Sequence, residues 1–213
     1  TSGHVSLPEV GRIVPAAAGY NLHPTVNIKA DGPAERLGLT VDVKSEAGNI
    51  RGQLVTDVQA PDFAARGSVD VDRLNLAPLL KDPAQRSDLT GQARIDLVLK
   101  SDPASAPAAD RVKGTFAFKG PRVVAAGYEA RAVNVTGAIA GPRITIDGRA
   151  SAYGGTATAR GFIVTPAKGR ALAFDLRGSA DHLDVRALPA SVGAPRLATN
   201  LSVAEYHVTG EGQ

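Results

Sequence analysis

Apolar and polar residues alternate along most of this chain, and that period of two constrains the fold more than any other feature. In Leu37-Gly38-Leu39-Thr40-Val41-Asp42-Val43-Lys44 the odd positions are apolar and the even ones are Gly, Thr, Asp and Lys. Successive side chains of a strand point to opposite faces, so such a segment reads as a half-buried strand with one oily side. The same grammar recurs in residues 25–31, 93–100, 112–119, 132–136, 143–147 and 171–177. A helical stripe of period 3.6 fits none of these windows.

Turn signals separate the alternating runs. Ala47-Gly48-Asn49, Lys119-Gly120-Pro121, Ala140-Gly141-Pro142, Tyr153-Gly154-Gly155 and Ala167-Lys168-Gly169 are hairpin-type breakers. Strands of about eight to eleven residues at this spacing predict an antiparallel meander, because parallel strands need crossovers of a dozen residues or more. Gly38, Gly52, Gly67, Gly91, Gly114, Gly137, Gly148, Gly161 and Gly178 fall inside or at the ends of the expected strands. Within a strand, such glycines mark bulges or bends; at its end, they simply terminate it.

Two segments depart from the pattern. Leu74 to Arg86 is expected to hold a short helical turn with an apolar side, and Ser101 to Asp110 an exposed, mobile Pro/Ala-rich loop. The run from Gly67 to Pro78 is echoed from Gly178 to Pro189: a Gly-initiated strand, an acidic and apolar mix, then a Leu and Pro stop. Repeated sheet units of this kind suggest an array that buries its face by stacking on neighbours.

With 43% hydrophobic and 21% charged residues, the chain can order itself around apolar surface. Its 213 residues are read as one elongated segment, 1–213, and the lack of an initial Met leads us to expect a piece of a larger protein. Gly 23 and Pro 14 supply many bends. Cys is absent, which removes thiolate ligands, thiol nucleophiles and disulfides. No run of about 18 apolar residues occurs, so no helical span is expected, and no signal peptide is recognisable. The net charge of +3 is dispersed; Arg122, Arg131 and Arg143 fall in different expected strands. A nucleic-acid partner, which would need a clustered basic face with aromatics, is not expected.

Catalytic and cofactor chemistry is not expected either. His4, His23, His182 and His207 lie outside metal-ligand spacing, so no metal or other cofactor is anticipated. Asp181 and Asp184 flank His182, but strand alternation would place 182 and 184 on one face and 181 on the other. Ser6 and Ser191 lack a Gly-x-Ser-x-Gly setting, and no helix-initiating Lys-Ser or Lys-Thr pair follows Gly154-Gly155. Asp70 and Asp72 alternate with Val69 and Val71 and read as solvated.

A sheet with one apolar face must cover it, by a second sheet, by closing as a barrel, or by curling into a trough. Helix candidates are too few to do so. The candidate lining residues are Val26, Ile28, Leu39, Val41, Val43, Leu54, Val69 and Val71 in the first half. They continue as Ile95, Leu97, Leu99, Phe116, Phe118, Val133, Val135, Ile144, Ile146, Leu172, Phe174 and Leu176. The same residues would serve as an ordinary dry core. In an open trough they would hold acyl chains, since each buried methylene contributes about 0.8 kcal/mol with no polar partner needed.

The run from Leu39 to Gly52, that from Gly67 to Leu80, and Gly141-Pro142-Arg143-Ile144-Thr145-Ile146-Asp147-Gly148-Arg149-Ala150-Ser151-Ala152-Tyr153-Gly154-Gly155 resemble the translocation and assembly module (TamB) family, within the AsmA-like group. The resemblance covers roughly residues 25 to 190 and rests on alternation, Gly placement and Leu-Pro punctuation. It implies an all-β fold: an elongated antiparallel sheet curved into an open hydrophobic groove, a β-taco, with at most one or two short helical turns. It further implies a periplasmic segment of an inner-membrane-anchored envelope protein, with neither the anchor helix nor a barrel-binding region in this sequence. The implied work is phospholipid transport toward the outer membrane, with acyl chains as the partner. The alternative is a scaffold for outer-membrane protein assembly and secretion with a barrel partner, offering bare strand edges such as Leu197 to Val208. The family implies no catalytic residues.

Overall fold

The computed structural model describes residues 24–80, 83, 86–101, 108–125, 127–167, 169–189 and 200–212. Alternation becomes eleven strands: β1 (Thr25–Asp31), β2 (Leu37–Ser45), β3 (Gly48–Asp57), β4 (Phe63–Leu74), β5 (Ser87–Leu99), β6 (Val112–Ala125), β7 (Tyr128–Ala140), β8 (Arg143–Ala152), β9 (Gly155–Val164), β10 (Leu172–Asp184) and β11 (Asn200–Gly212). They form one sheet whose spatial order equals the chain order. Every pairing is antiparallel. Among the described residues the sheet is open, with β1 and β11 at its two edges. At about 4.8 Å per strand, the eleven strands span roughly 48 Å across the sheet.

Register sorts the side chains onto two unlike faces. One cross-strand row reads Ala30, Leu39, Leu54, Gly67, Ile95, Phe116, Gly137, Ile146, Gly161, Leu176, Val208. The row beside it, on the other face, reads Lys29, Thr40, Gln53, Ser68, Arg94, Ala117, Thr136, Asp147, Arg160, Arg177, His207. The polar face is laced by cross-strand pairs such as Arg66–Asp96 at 2.7 Å and Arg160–Asp147 at 2.6 Å.

A seam of bulges crosses the sheet near one rim. Register slips at Val71/Leu74 in β4, Thr90/Gln92 opposite Lys119/Arg122 in β6, Arg131/Asn134 in β7 and Ala180/Leu183 in β10. Arg73, Ala132 and His182 have positive φ of 52°, 48° and 56° there. An extra residue in a strand bends it and reverses its parity. Leu74, Val123, Ala130 and Leu183 therefore stay on the apolar face, although each lies three residues from its apolar neighbour in sequence. The echo between Gly67–Pro78 and Gly178–Pro189 is this device used twice. Asp72-Arg73-Leu74 and Asp181-His182-Leu183 each bulge, and each is followed by a helical turn, Ala77–Leu80 and Val185–Ala187.

Several expectations need correction. Lys119-Gly120-Pro121 is no hairpin turn; it lies inside β6 at the seam, where Pro121, which has no N–H, sits at the register slip. Short helical turns number four among the named elements rather than one or two: Ala34–Arg36, Ala77–Leu80, Ala108–Arg111 and Val185–Ala187. Strands run from 7 to 14 residues, because the bulges let one strand continue where alternation breaks. Of the expected loop Ser101 to Asp110, residues 102–107 lie outside the described residues. Its end is a 3-10 turn, and Asp110 is half-buried.

The rims are tied. On one, the Arg170 guanidinium donates to both Asp110 oxygens at 2.8 and 3.0 Å and to the Thr165 carbonyl at 2.9 Å. Beside it Lys100 meets Asp62 at 2.6 Å, and Arg111 donates to the Lys100 carbonyl. On the other rim the Ser87 hydroxyl accepts from the Leu76 amide, and the Asn75 side-chain oxygen accepts from the Ser87 amide.

Candidate functional site: the apolar face

All twenty candidate lining residues lie on one face. The first half of the row beside that of Leu39 runs Ile28, Val41, Gly52, Val69, Ala93, Phe118, and it goes on through Val135, Gly148 and Ala159. Val26, Val43, Ile50, Val71 and Gly91 begin the next. On the other side, Leu97, Gly114, Ile139, Ile144, Ile163, Phe174 and Gly210 align. Phe63 and Leu99 pair with each other and Leu172 with Gly212, at the rim.

These rows carry no charged side chain. Alternation had pointed to most of them but missed Ile50, Ile139, Ile163 and Tyr206, which sit in strand portions beyond the windows where alternation is cleanest. The small residues Ala65, Ala93, Ala157 and Ala180 were missed as well, because alanine is a weak signal on either face.

No described element lies across this face as a second layer. Extensive contacts run only between sequence-neighbouring strands and between β3 and the turn Ala34–Arg36. No large side chain among the described residues is fully buried. Most of the candidate lining residues are half-buried by their own neighbours, and Ile28 and Leu172 are exposed. Five rows about 6.8 Å apart, over roughly 48 Å, give the floor a flattened footprint of about 1,300 Å².

The floor also explains the strand glycines. Of the nine that stood out in sequence, all but Gly38 fall on the apolar face. At Gly114 and Gly161, a Cβ would collide with the carbonyl oxygens of Asp96 and Asp175 on the neighbouring strands. Both have positive φ, 144° and 154°, which other residues rarely adopt, so the backbone itself calls for glycine there.

The polar face offers less. An open depression of about 750 Å³ lies over the row Arg131, Ser151, Thr156, Asp181. Its charges are already engaged: Arg131 donates to Glu129 at 3.0 Å, and His182 Nδ1 lies 2.7 Å from Asp181. Arg122 and Arg131 are cross-strand partners, and their hydrogen bonds hold the Glu129 carboxyl below its usual range. The bulge at His182 brings 181 and 182 together, contrary to simple alternation. Ser202 Oγ donates to Asp181 at 2.7 Å and accepts from the His182 amide at 3.1 Å, so it bridges the bulge. Among the described residues, no group of three or more His, Cys, Asp or Glu could hold a metal ion. His4, His23, Ser6 and Ser191 lie outside the described residues.

Comparison with family models, with curated proteins and with solved structures finds no match to this chain.

Proposed function

We propose that this chain is a segment of an envelope-spanning periplasmic protein that conducts phospholipids between the inner and outer membranes along its apolar trough. The observation that carries this reading is the floor. It is apolar from β1 to β11, free of charge in its rows, and uncovered by any described element. An acyl chain lying on it gains about 0.8 kcal/mol for each methylene fully removed from water. Neighbouring rows have nearly the same composition, so that gain changes little from strand to strand. A chain can then slide without deep wells, while its headgroup stays at the open side in water. The sequence resemblance to the TamB family points the same way.

The test is site-specific photocrosslinking from the floor at Leu97 and Ile146, with Asp96 and Thr145 on the polar face as controls. Phospholipid adducts from the floor alone are expected. Organic extracts of the purified chain should contain phospholipid, seen by mass spectrometry. An extract free of lipid, with no floor adducts, overturns the proposal.

A second reading has its own observation. The edge strands carry exposed apolar side chains: Ile28 at 49% on β1, and Leu201 and Val208 at 42% and 48% on β11. An unpaired edge accepts another strand by β-augmentation. Of the edge suggested by sequence, 197–199 lie outside the described residues, and the rest belongs to β11. A scaffold for nascent outer-membrane strands, working with a barrel partner, would give polypeptide adducts from Ile28 and Val208 in place of lipid adducts from the floor.

A further inference from the structure

We infer that floor glycines set the clear height of the trough by giving its phenyl rings a place to lie flat, so that Gly210, Gly137 and the Gly91/Gly120 pair determine what fits above them. This rests on the acyl-chain reading.

The chain has five phenylalanines. Phe63 is at the rim, and Phe162 is on the polar face beneath the Arg143 guanidinium, 3.4 Å from its ring centre. The other three are on the floor, and each rests on glycine. A Cβ at Gly137 would sit 2.6 Å from Phe116 Cζ and closer still to the Thr145 carbonyl oxygen. One at Gly91 would sit 2.7 Å from Phe118 Cζ, and one at Gly120 2.8 Å from Phe118 Cε1. One at Gly210 would sit 2.5 Å from both Cε1 and Cζ of Phe174. Carbon atoms normally approach to about 3.5–4.0 Å. The rings therefore occupy volume that any other residue's Cβ would claim. They lie along the sheet, over β7, β5 and β11, rather than standing away from it.

The consequence concerns clearance. A ring standing upright would project from the floor into the space an acyl chain would occupy. With the rings folded onto glycine, the floor keeps its aromatic apolar area and leaves the lumen free for an acyl chain.

Gly210 gives the cleanest test, because the three heavy atoms nearest to a Cβ there all belong to the Phe174 ring. The purified chain is titrated with a fluorescent 16-carbon fatty acid, with thermal melts in parallel. Gly210→Ala is expected to weaken binding at least fivefold with the melt little changed. Gly210→Ala combined with Phe174→Ala is expected to restore it, because the displaced ring is gone. Binding left unchanged by Gly210→Ala, or not restored in the double variant, overturns the inference while leaving the conduit standing. No binding by the unaltered chain overturns the acyl-chain reading itself, and this inference with it.

Discussion

Thr56 is the one polar side chain in its floor row, between Leu37 and Ala65. It is 2% exposed, and its hydroxyl has no hydrogen-bond partner. A buried hydroxyl without a partner costs about 1–3 kcal/mol, and valine has nearly the same shape. Thr56→Val is expected to stabilise the chain by about 1 kcal/mol, raising the melting temperature by roughly 2–4 °C. The rim carboxylates give a pH dependence. Hydrogen bonds from Arg170 and Lys100 hold Asp110 and Asp62 below their ordinary range. A depressed folded-state pKa stabilises above the unfolded value near 3.9 and is lost as pH falls through the folded one. Melting temperature should therefore fall as the solution is acidified below about pH 4, and Asp110→Asn should flatten that fall. Neither pairing was legible in the sequence, since Asp110 and Arg170 are 60 residues apart.

At the scale of the element, alternation gave the strands because period two is a local property. It could not give their full lengths, because a bulge looks like the end of a pattern. Val71 to Leu74 and Ala180 to Leu183 read as breaks, yet each strand continues through one extra residue. Pro121 misled for the same reason: proline marks turns, but a register slip tolerates it equally well. Deleting Ala132 should remove the extra residue of β7 and leave Ala130 on the floor and Glu129 and Arg131 on the polar face, but it sets this end of β7 one residue out of register with the bulged β6. A lower midpoint in urea unfolding is expected. The glycines were legible as bends but not as belonging to one face, which needs the register. Gly161→Ala forces a Cβ against the Asp175 carbonyl and should cost about 1–3 kcal/mol in the same measurement.

For the whole molecule, the sequence announces an oily face and is silent on what covers it. The same residues would serve a sealed sandwich. Among the described residues, the strand order and the contacts give one sheet extended hairpin by hairpin, with no described element folded back over it. Burial was the missing quantity, because it depends on distant parts of the chain. If the face carries acyl chains, Ile146→Asp sets a carboxylate in the middle of the floor, where passing methylenes would have to cross it. Lipid adducts at Leu97 should fall severalfold in that variant, while far-ultraviolet circular dichroism stays that of the parent.

Spatial order equal to chain order has a mechanical consequence. Each strand between β1 and β11 is held by the two beside it in sequence, so the assembly behaves as a ladder whose rungs report only to their neighbours. Such a ladder has no preferred size. Duplicating one hairpin would add about 9.6 Å of span without disturbing any existing rung, and excising one would subtract the same amount. Reach, in a protein of this kind, is a matter of copy number.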